Sequence, residues 1–215
     1  MTTPASFRMR KGVFALAAAA AMAAAAPASA APSVQLTSGA TTVLLNPEFL
    51  GALSSLGVTP ANVLPGSLIV DSTGARVAFP IPTGELDAAG PKLEVLHSGG
   101  LTLTAGHTRV ALTSFIIQNL NGRLQLTGVV KANDSIVGRI PLFNVHLTQA
   151  PSVSAPSGTY MGYPSSHLTI RGARVTLTHT AATTLNNVFG ISAFTAGFPI
   201  GTARVNARVS DLDGK

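Results

Sequence analysis

The chain has 215 residues, with 14 Lys and Arg against 8 Asp and Glu, five histidines and no cysteine. The lack of cysteine removes thiolate nucleophiles, zinc–thiolate sites and iron–sulfur clusters, and leaves packing and hydrogen bonding to hold the fold without disulfides. Two tyrosines, no tryptophan and singly scattered arginines also argue against the basic stripe and stacking platform of a nucleic-acid binder.

The first thirty residues read as a secretory signal peptide. Arg8, Arg10 and Lys11 form a basic start, and residues 12–26 are an apolar, alanine-rich run. Pro27 breaks any helix, and Ala28, Ser29 and Ala30 are the small residues that a signal peptidase needs. The run is shorter than the roughly 20 residues that span a bilayer, and no second long apolar run follows to anchor the chain. Cleavage after Ala30 leaves residues 31–215 as one domain of ordinary size, secreted or held at the cell surface, with eleven basic residues against eight acidic ones.

Turn signals recur about every ten residues, which predicts a mostly β domain: an antiparallel sandwich or barrel-like sheets with two short helices. The first helix is expected after Asn46, a good N-cap, with Pro47 at its first position, Glu48 at the positive end of the dipole and Gly57 closing it. Phe49, Leu53 and Leu56 share its apolar face. Residues 67–70 and 75–80 read as a hairpin around Asp71 to Gly74, and 101–105 and 108–115 flank Gly106. Residues 116–120 and 123–130 flank Asn121-Gly122, a strong hairpin signal. The apolar phase moves from even (Val110, Leu112) to odd (Phe115, Ile117), which requires a bulge near Thr113-Ser114. A second slip falls between Leu142 and Phe143 in the strand over 136–147. Residues 151–164 form a Pro/Ser/Gly-rich connection, followed by a strand over 168–178. A second helix over 180–189 carries Ala182, Leu185 and Phe189 on one side and ends at Gly190.

Catalytic signatures are absent from the sequence. There is no Gly-x-Ser-x-Gly elbow, no His-Glu-x-x-His and no phosphate-binding loop. Glu85, Asp87 and Glu94 lie close together, but in a Pro/Gly-punctuated stretch that reads as solvated. Asp211 and Asp213 begin a calcium-loop pattern that lacks its remaining ligands. No two histidines have helical metal-ligand spacing. His107 reads as a turn residue and His146 as a solvent-facing strand residue.

His97 carries a resemblance. The series "VAFPIPTGELD", "LEVLHSGGLTLTAGHTRVALTSF", "GRIPLFNV" and "LTHTAATTLNNVFG" resembles the HtaA-type domain of exported actinobacterial surface proteins, over most of residues 66–209. The resemblance implies a binding module that holds haem, with a tyrosine as axial ligand and a histidine supporting it. His97 matches the His-before-Gly position and takes the supporting role. Tyr160, Tyr163 and His167, carried back over the site by their loop, are the candidates for the rest of a haem or ligand pocket.

The last strand, "GTARVNARV" over 201–209, alternates cleanly. Ala203, Val205, Ala207 and Val209 are expected inside, and Thr202, Arg204, Asn206 and Arg208 outside. Arg204 and Arg208 then either discourage pairing at an exposed strand or meet an anionic partner. The sequence therefore points to a secreted, non-enzymatic envelope or extracellular module with an apolar ligand or a surface component as partner. Haem capture and an exported hydrolase with a dispersed site stand as the alternatives.

Overall fold

The computed structural model describes residues 33–87, 93–154, 159–160 and 163–211. The expected signal peptide and its cleavage point, and Asp213, lie outside the described residues. In chain order the elements are β1 (Ser33–Leu45), α1 (Pro47–Ser55), β2 (Thr59–Val63), β3 (Ser67–Asp71), β4 (Gly74–Pro80), β5 (Thr83–Asp87), β6 (Leu93–Leu96), β7 (Gly100–Ala105), β8 (Thr108–Leu120), β9 (Arg123–Ala132), β10 (Ser135–His146), β11 (Ser152–Val153), β12 (Thr159–Tyr160), β13 (Tyr163–Leu177), α2 (His179–Phe189) and β14 (Pro199–Asp211).

The strands pair antiparallel throughout and close on themselves. From β1 the ladder runs through β14, β13, β10, β9, β8, β6 and β5 and returns to β1, an eight-stranded barrel. Of the two architectures expected from sequence, the barrel is the one that forms. Closure removes sheet edges from this ring. It also corrects one reading of Arg204 and Arg208: β14 is hydrogen-bonded by β1 on one side and β13 on the other, so its arginines guard no edge.

Two long strands fork. The first part of β1 pairs with β5 and the second part with β4, while β8 pairs with β7 along 108–113 and with β6 along 116–118. The barrel is thus continuous where β5 meets β6. Beyond that point β4 carries β3 away as one flap, and β7 carries β2 away as another. The fork at β8 sits at the expected bulge: the β8–β9 register shifts between Thr113 and Ile116, and Ser114 takes φ +53°. The second expected slip is also present, between Pro141 and Phe143.

Both helices form for the expected reasons. Asn46 Oδ1 accepts from the Glu48 N–H at 2.8 Å, Pro47 opens α1, and Gly57 ends it at φ +66°. Phe49 and Leu53 are buried, Phe49 beside the Phe194 ring, and each such side chain stabilises by about 1.5–3 kcal/mol. Thr178 caps α2 through a 3.0 Å bond from the Ala181 N–H, and Gly190 closes it in the left-handed region. The stretch around Glu85 and Glu94, read as solvated, leaves Glu94 exposed and Glu85 half-buried. It forms β5 and β6, with Glu85 directly opposite Glu94.

Candidate functional site

The fork is crossed by two short links, Ile81-Pro82 between β4 and β5, and His97 to Gly99 between β6 and β7. Backbone bonds clasp them: the His97 N–H donates to the Phe115 carbonyl at 2.8 Å, the Ser98 N–H to Pro80 at 2.9 Å, and the Ile81 N–H to Gly39 at 2.8 Å. Gly99 has φ +85° and packs so closely on Gly66 that a Cβ there would run into the Gly66 backbone. Only glycine meets both demands.

His97 continues the inward phase of Leu93 and Val95, and its ring is 5% exposed. Its Nε2 lies 2.7 Å from the hydroxyl of Thr41, a buried residue on β1. Burial drives the imidazole towards its neutral form, lowering its pKa from 6.5 to about 4, while the nearby Val95 and Phe115 carbonyls oppose this and are outweighed. Nδ1 is buried with no hydrogen bond of good geometry. Nε2 and the Thr41 hydroxyl share one hydrogen bond, whose direction follows the tautomer.

Two spaces meet at this link. Inside the barrel is a cavity of about 120 Å³ lined by apolar side chains of both core clusters, with Thr41 and His97 as its polar residues. Outside, between the flaps, is an open groove of about 520 Å³. Its walls include Val63, Leu64, Pro82, Leu96 and Ile116, and Leu64 is 81% exposed. Among the described residues Arg139 is the charged one that lines it, held by a 3.2 Å bond from Nη1 to the Thr127 hydroxyl.

The other candidate residues lie elsewhere. His107 is exposed in the β7–β8 turn, and His146 is exposed at the end of β10, 3.4 Å from the Thr176 hydroxyl. His167 faces outward on β13 opposite Arg208, so it shares no pocket with the inward-facing His97. Tyr160 of β12 pairs with Tyr163 of β13, and their side chains lie outside the described residues. Along β14, Thr41 stands level with Val205 and Ser165 with Ser210, five residues or about 16 Å further on at roughly 3.3 Å per residue, and Tyr163 lies beyond. The alternation of β14 is as expected: Ala203, Val205, Ala207 and Val209 are buried, Arg204 is exposed and Arg208 half-buried. Sequence reasoning missed Thr41, Arg139 and the groove. One signal was there: Leu93, Val95 and His97 share one phase.

In fold, this closed antiparallel barrel with one forked flank resembles a solved HtaA-type domain. The chain superposes on the C-terminal domain of HtaA from Corynebacterium glutamicum with a TM-score of 0.57 at 15% identity, covering 82% of this chain and 99% of that one. It is also similar to the heme binding protein HtaB from the same organism, with a TM-score of 0.46 at 10% identity over 83% and 95% of the two chains. At these identities the likeness is one of fold. No protein-family model and no curated protein sequence matches the chain.

Among the described residues, no phenolate of the kind that the resemblance implies for haem stands beside His97. The imidazole of His97 is turned into the core and tied to an aliphatic hydroxyl, which is no match for a phenolate as an iron ligand. The groove outside is lined by Arg139 and His97 and, among the described residues, by no tyrosine. Among the described residues no cluster of His, Asp and Glu could hold a metal ion.

Proposed function

We propose that the chain is an exported, non-catalytic binding module that holds an apolar ligand with an acidic group in the groove at the fork. The observation that carries this reading is the groove itself. Its volume of about 520 Å³ falls within the range of roughly 300–1,000 Å³ typical of small-molecule sites. Its walls are mainly apolar with Ser98, Thr113 and Ser114 among them, and among the described residues its one charge is the Arg139 guanidinium. An arginine fixed by a neighbouring hydroxyl is suited to a carboxylate, which it meets with paired donors.

Calorimetric titration with decanoate tests the reading. Binding to the wild type is expected, with Arg139→Gln weakening it about tenfold or more, as loss of a charged hydrogen bond implies. No binding, or binding indifferent to Arg139, contradicts the reading. Export rests on the leader, and intact-mass measurement of material from the culture medium should show a chain beginning at Ala31.

A further inference from the structure

The outward side of the β13–β14 seam carries a charge pattern that packing does not call for. Ile170 pairs with Val205 and Ala173 with Ala203, so at the bulge Arg171 and Gly172 together stand against Arg204. Arg174 comes next, level with Thr202 on β14 and with His146 on β10. Arg171, Arg174 and Arg204 are exposed, and none of the three has an ion pair or side-chain hydrogen bond among the described residues. At about 3.3 Å per residue and 4.8 Å between strands, Arg174 lies roughly 8 Å from Arg204 along the backbone frame. His167 and Arg208, paired in register, continue the row about 13 Å beyond Arg204 on the other side. Like charges on facing strands destabilise a sheet. The register partners of Arg174 and Arg204 are Thr42, Thr202 and His146, so no carboxylate stands there to offset the repulsion.

We propose that this seam is a docking face for a linear acidic polysaccharide, which lies along β13 and β14 with its carboxylates at Arg171, Arg174 and Arg204. Charge complementarity commits the face to a polyanion, since a guanidinium meets a carboxylate with paired donors. A row of charges along one seam suits a chain rather than a compact anion. Beside the arginines stand Thr42, Thr169, Thr202 and Asn206, whose hydroxyl and amide groups match the hydroxyls of sugar rings. Residues 167–176 and 202–208 include no Phe, Tyr or Trp on which a base would stack, which disfavours a nucleic acid. None of these residues lines the groove at the fork, so the face stands independently of the reading given to that groove.

The test is titration of the mature chain, at several salt concentrations, with polygalacturonate, its uncharged methyl ester, single-stranded oligothymidylate and phosphatidylglycerol vesicles. Polygalacturonate is expected to bind, more weakly as salt rises, and the methyl ester is expected not to bind. Arg171→Gln, Arg174→Gln and Arg204→Gln together should weaken binding about tenfold or more and flatten its salt dependence. Arg109→Gln, Arg123→Gln and Lys131→Gln together remove the same charge from exposed positions elsewhere and should leave binding nearly unchanged. If the first triple variant fails to fold, Arg174→Gln and Arg204→Gln are read singly, each expected to weaken binding about twofold or more. Equal weakening by the two triple variants, or no binding of polygalacturonate to the wild type, overturns the proposal. Tighter binding of oligothymidylate or of the vesicles than of polygalacturonate also overturns it, and gives the face to that partner instead.

Discussion

Around β5 and β6 the barrel wall is one continuous ladder, whereas around β4 and β7 it parts into two flaps joined through closely packed glycines. The continuous half is held by main-chain pairing and a small apolar cluster around Leu36, Ile81 and Val209. The forked half draws on helices α1 and α2 and on aromatic contacts among Phe49, Phe194 and Phe198. Main-chain hydrogen bonds leave no room for a ligand. Where the flaps part, an open groove lies beside Arg139, and the proposed binding is placed there.

The largest expected effect comes from closing up the fork. Gly99→Ala should cost about 3–5 kcal/mol in denaturant melts, because its Cβ would meet the Gly66 backbone at a positive φ. Gly106→Ala, at φ +56° with open space around it, should cost about 1 kcal/mol. Equal losses would show that the fork is no more tightly built than a surface turn.

His97 gives the next effect. Its folded pKa of about 4 lies below the ordinary 6.5, so between these values the unfolded chain binds a proton that the folded one does not. Its contribution to stability is therefore complete above pH 6.5 and declines as the pH falls to about 4, by up to roughly 3 kcal/mol. His97→Leu should remove that part of the slope. Thr41→Val comes third: it strips Nε2 of its partner in a buried setting and should cost about 1–3 kcal/mol.

The smallest effects lie on the outside. Arg204→Gln with Arg208→Gln should leave the fold intact and lower stability by less than about 1 kcal/mol, with any loss mainly from half-buried Arg208. A collapse of the fold would place the arginines in the structural framework of β14. His107→Ala should change stability by less than about 0.5 kcal/mol, since its side chain is exposed in a turn.

His97 and His107 show how far the sequence could be read. His107 follows Gly106 between two alternating runs, and such local turn chemistry made its place legible. The bulge at Ser114 was legible as well, because a change of apolar phase has one geometric cause. β5 and β6 were hidden by the Pro and Gly around Glu85, which mark turns in most settings but here punctuate short strands. Thr41 could not have been paired with His97, since the two are 56 residues apart and only the fork brings them together. The groove has no signature in the sequence at all, for it arises from where two strands stop pairing.

The central claim is that His97 is a neutral, inward-facing part of the barrel wall and not a ligand offered to the outside. Nitrogen-15 NMR of its imidazole across a pH titration tests this most directly. A neutral ring at pH 6 and a titration midpoint near pH 4 are expected. A midpoint at the ordinary 6.5, with both nitrogens exchanging freely with water, would place the ring in solvent and contradict it.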